Sequence, residues 1–167
     1  PNIDDEYERK RTLDEIPQSS GGKTIMTIEP KFVPNNIAKI KIDDMTCNMR
    51  LVDCVGYVIE EAKGYEDENG PRMVKTPWSE EEMPFEVAAE IGTRKVITEH
   101  STIGILVTTD GTITDIPRED YIEAEERVVK ELKDLKKPFV IVLNSENPNS
   151  DYTIALSEKL ENKYGVS

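Results

Sequence analysis

Apolar residues recur along this chain with two different periods. Cys47, Met49 and Leu51 alternate with Thr46, Asn48 and Arg50, and before them Ile40 and Ile42 alternate with Lys39 and Lys41. A period of two is that of a strand with one face buried. Asp43-Asp44 between the runs supplies a turn, so the spacing predicts a hairpin whose second, half-buried strand delivers Asp53 to its far end. Thr102 to Thr108 and Phe139 to Leu143 are instead continuous, β-branched apolar runs, the pattern of strands covered on both faces in a parallel sheet. Between them Tyr121, Ala124, Val128, Leu132 and Leu135 form a helical stripe. Glu119 and Asp120 sit near its positive end and Lys133, Lys136 and Lys137 near its negative end, and Pro138 stops it. Strand, helix, strand predicts a right-handed crossover.

Helical spacing returns at Phe85, Ala88, Ala89, Gly92 and Val96, after a Pro84 suited to a first turn, and predicts a helix reaching about Glu99. Tyr152 to Tyr164 is a further helix, with Leu156 and Leu160 four apart and Gly165 as its C-cap. Asp4 to Ile16 holds good helix formers but few apolar residues, which predicts a partly exposed helix ended by Pro17. Gln18 to Pro30 reads as a polar loop. Glu60 to Met83, with two glycines, two prolines, many carboxylates and the lone Trp78, reads as a long mobile flap.

At 167 residues the chain fits one α/β unit with room for a core. Its formal charge of −13, from 34 Asp and Glu against 21 Lys and Arg, repels phosphate backbones and argues against a nucleic-acid partner. No apolar run approaches the length of a transmembrane segment, and no signal-type region opens the chain, which predicts a cytoplasmic protein. Cys47 and Cys54, seven apart and on opposite faces of one extended segment, are spaced for neither a structural zinc site nor a mutual disulfide.

The chemistry centres on Leu51 to Tyr57, where an apolar strand runs into Asp53-x-x-Gly56. An aspartate at a strand's end can hold Mg²⁺ through a water, and a glycine lets its backbone N–H approach a phosphate with no side chain in the way. A solvated turn has the same residues. Gly22-Lys23-Thr24 mimics the end of a phosphate loop, but Pro17 stands where that loop needs its first glycine. His100, beside Glu99 and Ser101, reads as helix-terminal rather than as part of a triad. Asp110-Gly111 is either a ligand-facing turn or an ordinary one. Asn144-Ser145-Glu146-Asn147 follows the Phe139 strand where GTP-binding relatives carry Asn-Lys-x-Asp. Without the aspartate, guanine's N–H groups lack a carboxylate acceptor, which favours adenine, with Asn144 as a cofactor-binding candidate; a polar loop entering the last helix is the alternative.

Four stretches, Gly22 to Pro34, Leu51 to Tyr57, Gly64 to Met73 and Glu99 to Gly104, carry a likeness more specific than any of these motifs. They closely resemble the stage IV sporulation protein A family, the spore-coat ATPases of endospore formers. The likeness covers essentially the whole chain, through Thr109 to Thr112 and Asp120 to Arg127. The resemblance implies a P-loop NTPase-like α/β fold, a mostly parallel sheet with one antiparallel hairpin. It makes residues 1–167 a partial ATPase domain, truncated at both ends, that lacks the first strand and the phosphate-gripping Walker A segment and is inactive alone. Asp53 becomes the Walker B aspartate and Gly56 the switch II glycine. Thr27 becomes the switch I threonine that senses the γ-phosphate and joins Asp53 at the metal. The family pattern has two adjacent threonines there, whereas Ile28 follows Thr27 in this chain.

The resemblance further implies ATP and Mg²⁺ as cofactors and hydrolysis that drives self-assembly into the basement layer of the spore coat. Its implied partners are further copies of itself, spore-coat proteins and a membrane-bound amphipathic anchor peptide. Its implied place is the mother-cell cytoplasm at the outer forespore membrane. Two other functions are compatible with the residues, a non-catalytic polymer module with a vestigial nucleotide site and a GTPase-type switch. A missing central strand would also leave open edges, which favours pairing of this piece with itself.

Overall fold

The computed structural model describes residues 6–15, 31–59, 61–62, 64–68 and 70–166. Helix α1 (Glu6–Glu15) opens it, with Tyr7 and Leu13 exposed, as the thin apolar pattern predicts. The hairpin follows: β1 (Lys31–Ile42) pairs antiparallel with β2 (Met45–Asp53), from Ile42 opposite Met45 to Lys31 opposite Asp53. Asp43 adopts φ 51° in the two-residue turn, a left-handed conformation that Asp tolerates and tight hairpins require. The ladder breaks register between Val33 and Ala38, where Pro34 has no N–H to donate. The ribbon is less buried than its alternation predicts. Met45, Met49 and Leu51 are exposed, and only Cys47 and Val52 of β2 are half-buried, because no described element covers the other residues.

The stretch predicted as a flap is instead two small hairpins. The first joins β3 (Glu66–Asp67) to β4 (Gly70–Pro71), and the second joins β5 (Met73–Thr76) to β6 (Ser79–Pro84). The Arg72 guanidinium lies over the Phe85 ring, 5.1 Å from its centroid, and Arg72 also donates to the Gly64 carbonyl at 3.0 Å. These contacts fasten the hairpins to α2 (Phe85–Lys95), and Glu66, Asp67, Glu80, Glu81 and Glu82 of the stretch lie on their strands. The predicted apolar stripe of α2 is buried in full at Phe85, Ala88, Ala89, Gly92 and Val96. A π-helical turn, Val96–His100, continues it, and His100 is its exposed last residue. The Lys137 ammonium caps that end by donating to the carbonyls of Ile97 and of Ser101, the latter at 2.6 Å.

Next, β7 (Gly104–Thr109) pairs in parallel with β8 (Phe139–Asn144), in register from Gly104 opposite Phe139 to Thr109 opposite Asn144. A 3₁₀ turn (Arg118–Tyr121) and α3 (Ile122–Asp134) connect them, and α4 (Asp151–Tyr164) follows. Ser150 caps α4 by accepting from the Thr153 N–H at 3.1 Å, and Gly165 closes it at φ 68°. Val129, Leu160 and Tyr164 form the core of this half, packed against Leu106, Phe139, Ile141, Leu143, Leu156 and Val166. Among the described residues only one face of the strand pair is covered. Ile105 and Val107 are 55% and 62% exposed, and Val140 and Val142 also face outward, so the two-sided burial expected from the continuous apolar runs is not found.

Two further expectations are corrected. The α3 stripe is rotated: Glu125, Val129 and Leu132 are buried while Leu135 is exposed, because a buried cation draws Glu125 inward. The described strands also form four separate two-stranded pairs rather than one mostly parallel sheet, since no described strand joins β2 to β7. Among the described residues the result is an α/β arrangement with one parallel pair and three antiparallel hairpins.

Gly104 marks a close approach between layers. A Cβ there would stand 2.9 Å from Leu132 Cδ2 and 3.1 Å from Phe139 Cβ, closer than such atoms pack. Gly104→Ala is expected to lower stability by about 1–3 kcal/mol, the usual cost of overpacking, read as a lower denaturant midpoint at unchanged slope.

Candidate functional site

Strand β2 ends at Asp53, whose carboxylate is exposed. The chain then leaves the ladder and turns through Gly56, at φ 82°, a conformation that side chains resist and glycine accepts. Thr93, on the buried face of α2, meets this turn. Its hydroxyl accepts from the Gly56 N–H and donates to the Gly56 carbonyl, both at 3.1 Å, so one side chain satisfies both polar groups of one residue. Cys54 sits in the same corner. Burial pushes its thiol pKa up, against the opposing effect of hydrogen bonds from the Gly56 backbone and Thr93. Both cysteines are free thiols, as their spacing predicts.

Tyr57 extends the turn toward α3. The Arg127 guanidinium stacks over its ring, 4.0 Å from the centroid, and is itself paired with Glu90 of α2. Burial, and then a hydrogen bond to Glu131, raise the Tyr57 pKa well beyond its ordinary value, so the phenol stays protonated. The four residues from Cys54 to Tyr57 are thus gripped by α2 through Thr93 and by α3 through Arg127 and Glu131.

Asn144 stands exposed at the carboxyl end of β8 in the other strand pair. Its carbonyl accepts from the Asp110 N–H at 3.2 Å. Asp110, 4% exposed, organises this end. Its Oδ1 accepts from the Thr112 N–H at 3.0 Å and the Thr112 hydroxyl at 2.6 Å, and its Oδ2 accepts from the Thr153 hydroxyl at 2.9 Å. Thr112 Oγ1 in turn accepts from the Glu146 N–H at 2.9 Å, and Ser145 Oγ from the Asn147 N–H at 3.0 Å, which ties the loop after Asn144 to the loop after β7. Burial would raise the Asp110 pKa, but hydrogen bonds from Ser145, Thr112 and Thr153 outweigh it and hold the carboxyl at about 2, so it is ionised at neutral pH. Asp110-Gly111 is therefore a turn built around a buried anion.

Asp53 and Gly56 share one segment, and Asn144 lies on a strand pair with no ladder to it. Thr27 lies outside the described residues, as does Ile28. Thr93, Arg127 and Glu125 are the residues that sequence reasoning passed over. A signal for Thr93 existed, because it falls four residues after Ala89 on the apolar face of α2, and a polar residue on a buried face needs a partner. Among the described residues no group of three or more His, Cys, Asp or Glu side chains could hold a metal ion by itself. One exposed carboxylate beside a glycine turn nonetheless suits Mg²⁺, which binds through one or two carboxylates and fills its shell from phosphates and water. No helix among the described residues is long and apolar enough to cross a membrane.

Comparison with known proteins gives this arrangement a family. The model of the stage IV sporulation protein A ATPase domain matches residues 1–167. Stage IV sporulation protein A of Bacillus subtilis (strain 168) is 61% identical over 167 residues, covering 99% of this chain and 34% of the relative. Its counterparts in Bacillus anthracis and Clostridioides difficile (strain 630) are 60% and 59% identical over the same shares. The chain thus spans about a third of the length of the curated relatives it matches. No solved structure matches it. With its strand-to-turn Asp53-x-x-Gly56 element inside a domain matched from end to end, the chain belongs to the stage IV sporulation protein A family, within that family's ATPase domain.

Proposed function

We propose that this chain is part of an ATPase whose hydrolysis of ATP drives self-assembly into the basement layer of the spore coat, at the forespore surface in the mother-cell cytoplasm. The observation that carries the reading is the end-to-end match to an ATPase domain of a sporulation family. Spore-coat proteins and an amphipathic membrane-bound peptide are its partners on the same reading. On this reading the domain is of the P-loop NTPase type.

In this reading the Asp53 carboxylate, exposed where β2 ends, holds Mg²⁺ through water together with Thr27. The bound metal ion neutralises charge on the phosphates. When nucleotide engages the turn, the Gly56 N–H donates to the γ-phosphate, and positive φ at that glycine lets the backbone turn without a side chain between. Asn144, presented at the carboxyl edge of β8 and braced by Asp110, lies where ligands of open α/β sheets contact the loops, and serves the adenine end. Loss of the Asn-Lys-x-Asp carboxylate is in keeping with adenine rather than guanine.

In the full-length protein, Asp53→Ala is expected to lower ATP turnover roughly 10–100-fold, the range for residues that orient a metal's ligands. A phosphate-release assay with Mg²⁺ in excess measures it. Unchanged turnover would remove Asp53 from the mechanism.

A further inference from the structure

The grip on the Gly56 peptide bears on how the nucleotide reading works. The Gly56 N–H is directed at Thr93 Oγ1 at 3.1 Å, with the weakly accepting Cys54 thiol beside it in the same corner. The carbonyl of the same residue, in the next peptide unit, is held by the same hydroxyl, so the peptide units on both sides of the Gly56 Cα are tied to Thr93 and the N–H turns to another acceptor only by giving up its bond to that hydroxyl. Thr93 is 3% exposed and fixed on a helix whose whole inner face is buried, so it does not follow the turn if the turn moves. Tyr57, one residue on, is held separately under Arg127 and by Glu131. The short segment after Asp53 therefore has a defined resting position, set by groups on α2 and α3 that lie outside the Asp53-x-x-Gly56 motif.

We infer that Thr93 is a positioning residue that competes with the γ-phosphate for the Gly56 N–H, so that the triphosphate must displace its hydroxyl to engage the turn. The inference rests on the proposed ATPase reading. Thr93 acts as a built-in stand-in for a phosphate oxygen: it offers the same kind of acceptor to the same N–H and returns the turn to its resting place once the γ-phosphate is gone. Arg127 and Glu131 add to the latch through Tyr57. A ligand can shift an equilibrium only by its differential affinity for the two states, so the strength of the latch is subtracted from the affinity for ATP and not from that for ADP, which has no γ-phosphate.

The test uses the full-length protein and its equilibrium affinity for ADP and for a nonhydrolysable ATP analogue, each with Mg²⁺. Thr93→Val keeps the side chain's shape and removes the hydroxyl. Its expected result is about three- to tenfold tighter binding of the analogue, the range of one net hydrogen bond, with ADP affinity unchanged. Thr93→Ser is expected to restore wild-type values. Arg127→Gln, at a half-exposed position that keeps the fold, is expected to shift the ratio in the same direction by a smaller factor, and it decides the matter if Thr93→Val does not fold. Equal shifts for ADP and the analogue, or no shift, in a folded variant overturn the inference. Failure of the wild-type protein to bind either nucleotide overturns the ATPase reading itself, and so separates the two.

Discussion

Replacing Glu125 by alanine is expected to lower the unfolding free energy by about 3–5 kcal/mol, the cost of removing one partner from a buried ion pair. Glu125 is 3% exposed and accepts three hydrogen bonds: from the Thr108 hydroxyl at 2.7 Å, from Arg118 Nη2 at 2.7 Å and from the Tyr164 hydroxyl at 2.6 Å. These partners come from β7, from the 3₁₀ turn and from the end of α4, so the one carboxylate joins three elements to α3. Alanine would leave Arg118, 8% exposed, as an uncompensated buried cation. Its Nε and Nη1 already have no partner among the described residues. Chemical denaturation followed by circular dichroism measures the loss, and a change below about 1 kcal/mol would show the network to be dispensable. Joint replacement by Glu125→Leu and Arg118→Met is expected to recover most of the stability, because exchanging both charges for apolar groups removes the desolvation penalty as well as the attraction. Tyr164 supplies an independent readout. Burial, and next its bond to Glu125, lift its pKa to about 12 from the ordinary 10.0. A phenol with a raised folded pKa contributes stability that is present below the unfolded value and is lost as pH climbs through about 12. In Glu125→Ala the phenolate absorbance should appear at lower pH.

Asp110→Ala is the second large effect, expected at about 2–4 kcal/mol, since hydrogen bonds to a charged group count roughly 1.5–3 kcal/mol each and the donors left behind are partly desolvated. Thr112, Thr153 and Ser145 all lose their acceptor. Asp110→Asn retains shape and one oxygen and should cost less. The sign with pH follows from the lowered pKa: the folded carboxyl sits at about 2 against an ordinary 3.8, so its contribution is complete above the unfolded value and disappears as pH falls from there through about 2. Acid unfolding of Asp110→Asn should therefore show a shallower slope across that window than the wild type, and equal slopes would refute the assignment. Because the same carboxylate braces the loop from Asn144 to Asn147, the alanine variant should also loosen that loop, visible as faster amide exchange at Glu146 and Asn147.

Both large effects fall on residues that the linear pattern described poorly, although the elements carrying them were legible. The α2 stripe from Phe85 to Val96, the turn at Asp43-Asp44, the Gly165 cap and the strand–helix–strand unit follow from periodicity and turn chemistry, which depend on nearest neighbours along the chain. Glu125 was hidden because a carboxylate on a helix is normally solvated. Nothing local to it announces that Arg118, Thr108 and Tyr164 will surround it. The segment from Glu60 to Met83 reads as a flap because glycine, proline and charge usually mark loops, and short hairpins of exposed, acidic strands carry the same composition.

The sequence by itself determined the family, the α-helices, the β1–β2 hairpin, the β7 and β8 strands, and the position of Asp53-x-x-Gly56 at a strand's end, because each is written in residue types and short spacings. Tertiary structure alone decided that Thr93 holds the Gly56 N–H and carbonyl across 37 residues of chain, that Asp110 and Glu125 are anchored anions rather than surface charges, and that no described element covers the second face of the β7–β8 pair. Periodicity reports which residues share a face of an element; what stands opposite that face is settled only when the elements pack.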